Sequence, residues 1–239
     1  MYDKSARIYD LLYVGSGIKD YPAEAAELQG IIQDASPAAQ TLLDVACGTG
    51  AHLVEMQRRF AVEGVDLSPA MLAVARTRLP GIPLYEGDMR TLDLGKTFDA
   101  VTCLFSSIGY MTDPAEMRGA IARLAAHVAP GGVLIVDGWV RPDRWLDNFR
   151  PDSPDVASDD GLTVVRMSYG RRDGNITELE MHHLVQTDAG VEYFTETHRL
   201  MLTETDDYVS AVTDAGLQAR VIPDYMPNRD RIVGIREQR

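Results

Sequence analysis

Between residues 41 and 137 short β-rich runs alternate with segments of helical periodicity, and this alternation constrains the fold more than any other feature of the chain. It marks a parallel sheet covered on both faces by crossover helices. The predicted strands are Thr41 to Ala46, Val62 to Asp66, Pro83 to Glu86, Phe98 to Leu104 and Val133 to Asp137. Between them His52 to Arg59, Pro69 to Arg78 and Pro114 to Val128 carry apolar residues at three- and four-residue spacing, with Pro69 and Pro114 suited to a first helical turn.

The rest of the chain departs from that pattern. Residues 138 to 161 hold Pro142, Pro151, Pro154 and several aspartates, and read as an excursion away from the sheet. Thr163 to Tyr169, Ile176 to Gln186 and Val191 to Leu202 are β-branched and aromatic runs joined by the turn-forming segments Arg172-Asp173-Gly174-Asn175 and Thr187-Asp188-Ala189-Gly190, which predicts a three-stranded antiparallel meander. Asp206 to Ala215 then reads as a helix closed by Gly216, with strands at Leu217 to Ile222 and Arg231 to Ile235 returning to the main sheet. The first 35 residues read as two helical pieces split at Gly15-Ser16-Gly17. The expected organisation is a helical cap over 1–35, a core over 36–140 and 203–239, and an inserted antiparallel element over 141–202.

The first strand runs through Asp44 into Gly48-Thr49-Gly50 and then a helix. Glycine lacks a Cβ and tolerates turns forbidden to other residues, so the backbone here can approach a nucleotide-like ligand. The dinucleotide pattern G-x-G-x-x-G fails, because Leu53 takes the third glycine position, and this weighs against a nicotinamide or flavin dehydrogenase. Asp66 closes the second strand, where a carboxylate can accept from both hydroxyls of a ribose. Asp88 follows the third strand, placed to accept from an adenine amino group, with Met89 beside it to pack on the ring.

Leu43-Asp44-Val45-Ala46-Cys47-Gly48-Thr49-Gly50, Val65-Asp66-Leu67-Ser68 and Glu86-Gly87-Asp88-Met89, with Pro130-Gly131-Gly132 before the fifth strand, resemble class I S-adenosylmethionine-dependent methyltransferases in order and spacing. The resemblance implies an α/β fold with a Rossmann-like sheet covered by helices, into which the antiparallel meander is inserted. It also implies S-adenosylmethionine as cofactor, with Gly48 and Gly50 at its methionine part, Asp66 at the ribose, and Asp88 and Met89 at the adenine. Asp44, Ala46, Leu67, Met71 and Leu104 complete the candidate cofactor wall.

More narrowly, Ile8-Tyr9-Asp10-Leu11, Lys19-Asp20-Tyr21, Phe105-Ser106-Ser107-Ile108-Gly109-Tyr110, Asp137-Gly138-Trp139 and Thr177-Glu178-Leu179-Glu180-Met181-His182 resemble the N,N-dimethyltransferases that act on dTDP-linked amino sugars of the desosamine and mycaminose type. By that resemblance Tyr9 and Tyr21 border the cofactor and Tyr2 and Tyr110 lie near the sugar amine as candidate catalytic residues. Arg229 is the aligned candidate for a pyrophosphate contact, with Arg231 as the alternative. The resemblance further implies that the antiparallel sheet covers the sugar site and helps form a homodimer. Where relatives tend to carry Pro-Trp-Trp after the fifth strand this chain has Gly138-Trp139-Val140, which points to a different sugar or different stereochemistry at the amine.

Ser106 and Ser107 follow the fourth strand, at the carboxyl edge where ligands of open α/β sheets meet their reacting groups, and their hydroxyls suit an amine or phosphate. Trp139 fits core packing and a substrate wall equally well; Tyr13 and Tyr169 read as structural. Methyl transfer from a sulfonium is an in-line displacement that asks mainly for an unprotonated nucleophile held close to the methyl carbon, so no metal or covalent intermediate is needed. An amine with a pKa near about 8 is already partly neutral at physiological pH, which leaves Tyr110 chiefly an orienting role. A metal site is not expected: the five histidines lack zinc-like spacing, and adjacent His182 and His183 on a strand point to opposite faces.

A net charge of −13 repels phosphate backbones and anionic membranes, so neither nucleic acid nor a membrane is an expected partner. Cys47 and Cys103 alone build no disulfide framework. Met1-Tyr2-Asp3-Lys4 leads into no apolar stretch, and a cytoplasmic location is expected. Two other readings stay open on the residues: a methyltransferase of the glycine or sarcosine kind or one acting on a sugar hydroxyl, and a non-catalytic ligand-binding protein that keeps the fold.

Overall fold

Leu42 and Leu43 are neighbours in strand β1 (Thr41–Val45), yet they bury into different cores, one on each side of the sheet. Val133 and Ile135 do the same against Leu134 and Val136 in β5 (Val128–Asp137). Side chains alternate across a strand, so a strand covered on both faces must be apolar at every position. This is why these segments read as continuous hydrophobic runs.

The computed structural model describes residue 2 and residues 4–238. Among these the main sheet adds β2 (Ala61–Asp66), β3 (Leu84–Glu86), β4 (Phe98–Cys103), β10 (Gln218–Met226) and β11 (Arg229–Ile235), in the order β10-β11-β5-β4-β1-β2-β3. β1 to β5 pair in parallel, and β11 runs antiparallel to both β5 and β10. Strand order reverses between β1 and β4, and the crevice at the carboxyl ends of these two strands is where such sheets bind ligands.

Helices α5 (Pro114–Ala126) and α6 (Thr205–Asp214) cover one face through Met117, Ile121, Leu124 and Val212. The other face is covered by α2 (Tyr21–Ala35), α3 (Ala51–Met56) and α4 (Pro69–Arg78) through Leu28, Ile32, Leu53, Met56 and Leu72. The predicted starts at Pro69 and Pro114 hold. Ser68 caps α4 by accepting from Met71 N–H at 3.3 Å, and Asp113 caps α5 by accepting from Ala115 N–H at 2.7 Å. No helix among the described residues is long and apolar enough to cross a membrane.

The second sheet has four antiparallel strands, not the three expected: β6 (Asp155–Asp159), β7 (Leu162–Asp173), β8 (Ile176–Thr187) and β9 (Gly190–Met201), in that order. The strand missed is a five-residue edge strand with one buried side chain, Ala157, so it shows almost no hydrophobic pattern. Its turn is legible: Asp160 and Gly161 both have positive φ, 39° and 79°, as a two-residue hairpin requires.

Helix α1 (Tyr9–Gly15) lies against the inner face of this sheet, with Ile8 and Leu12 buried among Val164, Val185 and Phe194. Gly15 allows the approach, since a Cβ there would stand 2.6 Å from that of Ala157. The outer face presents Val156, Met167, Leu184, Val191 and Tyr193 as exposed side chains.

Candidate active site

After β1 the backbone takes positive φ at Ala46 (62°), Gly48 (57°) and Gly50 (74°) before α3 begins. Glycine adopts this region freely; Ala46 does not, and the non-glycine residue marks a turn held by its surroundings. The two glycines differ in role. A Cβ on Gly48 would meet nothing within 4 Å, so its face is open, whereas one on Gly50 would stand 2.7 Å from Leu79. Gly50 serves the packing of α3 on α4 and does not line the cavity.

The open side of the turn faces a cavity of about 740 Å³, within the range of small-molecule sites. Tyr9, Tyr21, Asp44, Ala46, Gly48, Asp66, Leu67, Met71, Asp88, Met89 and Leu104 line it. So do Tyr2, Ser107, Tyr110, Trp139 and Arg229, so that the two groups of sequence-predicted residues border one continuous space.

At the cofactor end, Asp66 accepts Gly48 N–H at 2.7 Å and Ser68 N–H at 2.8 Å, which fixes its carboxylate while leaving lone pairs for hydroxyl donors. Asp88 is turned onto Arg90, and the hydrogen bonds from that guanidinium hold it below the usual carboxylate range. Asp44 lies deeper, accepting from Thr102 Oγ1 at 2.7 Å, and burial pushes its pKa up to about 6. Asp10 ties α1 to the glycine turn: it accepts from Thr49 Oγ1 at 3.0 Å and Tyr21 hydroxyl at 2.9 Å, and pairs with Arg78. An open glycine face, a fixed carboxylate and two methionines fit a nucleoside bearing an amino-acid tail.

At the other end the chain leaves β4 through Phe105 and Ser106, both at positive φ, into a short 3-10 turn over Ser107–Tyr110. Phe105 N–H donates to Asp137 at 2.9 Å, which pins the turn to the end of β5. Ser106 is fully buried behind the wall, not on it, because its hydroxyl donates to Gly138 C=O at 2.7 Å. It contributes through Arg229, whose Nη1 donates to Ser106 Oγ at 3.2 Å. Of the two candidate arginines only Arg229 reaches the cavity; Arg231 is buried in ion pairs with Asp137 and Glu27. Trp139 packs with Leu179 and Leu200 and also lines the cavity.

Tyr2 and Tyr110 share a hydroxyl hydrogen bond of 2.7 Å, and Tyr110 bonds His198 Nδ1 at 2.8 Å. Burial raises both phenols well above the ordinary tyrosine pKa, so both stay protonated across the physiological range.

Several lining residues escape the sequence reading. Tyr13, which reads as structural in the sequence, lines the cavity beneath the Arg166 guanidinium at 4.7 Å, while Tyr169 bonds Asn148 and stays outside. Lys19, buried against the Phe105 ring at 4.1 Å and paired with Glu24, and His198 line it too. A signal for His198 exists: Phe194, Glu196, His198 and Leu200 alternate along β9, so two polar residues occupy core-facing positions of an amphipathic strand.

Residues 42–132 match the family model described as a methyltransferase domain. The chain is 43% identical over 232 residues to the dTDP-3-amino-3,6-dideoxy-alpha-D-glucopyranose N,N-dimethyltransferase of Streptomyces fradiae, covering 96% of this chain and 90% of that one. It is 38% identical to the dTDP-4-amino-2,3,4,6-tetradeoxy-D-glucose N,N-dimethyltransferase of Saccharopolyspora spinosa, covering 97% and 92%. Among solved structures, DesVI of Streptomyces venezuelae superposes with a TM-score of 0.91 at 41% identity, over 97% of this chain and 98% of that one. An S-adenosylmethionine-bound amino pentose methyltransferase of calicheamicin biosynthesis from Micromonospora echinaspora gives 0.86 at 43%, over 96% of each. With this fold and this cavity, the chain belongs to the family of dTDP-amino-sugar N,N-dimethyltransferases and is an S-adenosylmethionine-dependent N-methyltransferase.

Proposed function

We propose that the enzyme methylates the amino group of a dTDP-linked deoxy-amino hexose in natural-product sugar biosynthesis. The observation that carries this reading is the continuity of the cavity: the turn at Gly48 and the tyrosine pair Tyr2–Tyr110 border the same space, with Arg229 at its edge. The cofactor supplies a methyl group already activated on a sulfonium. The chain's own task is to bring a neutral amine about 3 to 3.5 Å from that carbon in line with the breaking bond and to keep water away.

In this reading Gly48 lies along the methionine part, Asp66 holds the ribose, Asp88 and Met89 meet the adenine, and Tyr9 and Tyr21 close the cofactor side. Tyr2 and Tyr110, both protonated, orient the amine without removing its proton as phenolates. Ser107 and Trp139 border the sugar, and Arg229 meets the pyrophosphate. The helical cap over 1–35, the core over 36–140 and 203–239, and the antiparallel insertion over 141–202 form the working division of the chain.

The assembly is a homodimer through the outer face of the antiparallel sheet, supported by the apolar row Val156, Val165, Leu184 and Tyr193, which are paired in turn across β6, β7, β8 and β9, with Met167 and Val191 exposed on the same face. A cytoplasmic location is supported by the free thiols of Cys47 and Cys103.

Calorimetric titration tests the two-ligand site. S-adenosylmethionine and dTDP are expected to bind the same protein together, dTDP with low-micromolar affinity. Binding of the cofactor with none of dTDP would overturn the sugar-nucleotide reading and favour a small amine acceptor.

A further inference from the structure

The Tyr2–Tyr110 pair ends on a buried histidine that belongs to the antiparallel sheet. Tyr110 hydroxyl lies 2.8 Å from His198 Nδ1, and the Tyr2 ring packs on the imidazole with centroids 4.6 Å apart. The hydroxyl chain can run in either of two directions, and they differ chemically. If Nδ1 accepts, Tyr110 donates to His198, and its oxygen keeps a lone pair for an N–H in the cavity. If Nδ1 donates, the order reverses and a phenol O–H points at the amine, capping the lone pair that must attack the methyl.

Glu196 decides between them. Its Oε2 lies 4.0 Å from His198 Nε2, which has no hydrogen-bond partner among the described residues. A lone pair on Nε2 facing a carboxylate is repelled, whereas an N–H there is attracted, so the neutral ring carries its proton on Nε2 and leaves Nδ1 bare. The carboxylate is held in place by Ser5 hydroxyl, which donates to its Oε2 at 2.6 Å. The N-terminal ammonium, His183 on β8 and Arg166 on β7 also act on the ring, and all three disfavour a positive charge on it. Burial lowers the pKa of His198 to about 4, so the ring is neutral near physiological pH.

Resting on the amine-methylation reading above, we infer that His198, with its tautomer set by Glu196, is a positioning residue that fixes the direction of the Tyr110–Tyr2 hydroxyl chain so that it accepts an N–H of the substrate amine and turns the nitrogen lone pair toward the methyl. The step itself remains a simple displacement: the nitrogen lone pair forms the N–C bond as the S–C bond breaks, the sulfonium becomes a thioether, and the product leaves as an ammonium that returns its proton to solvent.

The test has two arms. Long-range 1H–15N NMR of the full-length, cofactor-bound protein, with His198 assigned by its loss in His198→Asn, is expected to show the Nε2-protonated tautomer; the Nδ1-protonated form would overturn the inference whatever the substrate proves to be. In steady-state kinetics with a dTDP-amino hexose, His198→Leu is expected to lower kcat on the order of 10- to 100-fold with KM for the cofactor unchanged. His198→Asn, which offers an amide oxygen near the place of Nδ1, is expected to recover most of that loss, and His198→Leu combined with Tyr110→Phe to be no worse than Tyr110→Phe alone. Equal activity of the Leu and Asn variants, or fully additive losses in the double variant, would overturn it. Failure of the wild-type enzyme to methylate any amino sugar would instead defeat the substrate reading and leave the NMR result standing.

Discussion

Arg229 lies over Trp139, its guanidinium carbon 4.2 Å from the ring centroid, while its neighbour two positions on, Arg231, is locked to Asp137 at 2.7 Å. Successive outward and inward positions of β11 would have opposite faces; these two share one face of the strand and still have different surroundings, one at the cavity and one beneath it.

Their loss should therefore be felt differently. Arg229→Ala is expected to raise KM for the sugar nucleotide by roughly 10- to 100-fold, the span of a lost hydrogen bond to a charged group, with the melting temperature nearly unchanged. Arg231→Ala leaves Asp137 buried and unpaired and is expected to cost on the order of 3 kcal/mol of stability. Paired kinetics and urea denaturation of the two variants check both statements.

Asp66→Ala should weaken S-adenosylmethionine binding by about 1.5 to 3 kcal/mol. Calorimetry on the folded variant reads this directly, and an unchanged affinity would remove Asp66 from the ribose role.

Asp44 carries a stability cost. Its pKa of about 6 in the folded protein lies above the unfolded value, so the folded state binds the extra proton, and stability falls as pH rises from about 4 through 6. Between pH 5 and pH 8 this amounts to about 1 kcal/mol. Asp44→Asn is expected to flatten that slope and to be the more stable protein at pH 8 without cofactor, while binding S-adenosylmethionine less tightly. Denaturation series of both proteins across that range test the sign; a variant less stable at pH 8 contradicts it.

Leu184→Asp puts a charge in the middle of the exposed apolar row on the antiparallel sheet. Sedimentation is expected to show a dimer for the wild type and a monomer for the variant. A wild-type monomer at all concentrations would contradict the dimer.

The residues legible in the sequence are those whose geometry is set locally. Gly48, Asp66 and Asp88 each sit where a strand ends, so spacing alone places them on one crevice. The segments that hold Ser106 and Gly50 are legible in the sequence, yet whether each residue faces the cavity depends on a hydrogen bond to Gly138 and on the packing of Leu79, neither of which is local. His198, Arg166 and Lys19 reach the site only because the second sheet and α1 fold over the first, and their positions depend on strand register and on long-range packing. β6 was missed because an edge strand with one buried side chain has no hydrophobic signature, although Asp160-Gly161 marks its turn.

The most direct measurement is mass spectrometry of a panel of dTDP-linked 3-amino and 4-amino deoxyhexoses, with their hydroxyl counterparts, after incubation with the enzyme and S-adenosylmethionine. One or two methyl groups added to an amino sugar, with none on the matching hydroxyl compound, is the predicted result. Methylation of the hydroxyl compounds alone, or of no sugar nucleotide while S-adenosylmethionine binds normally, would contradict it.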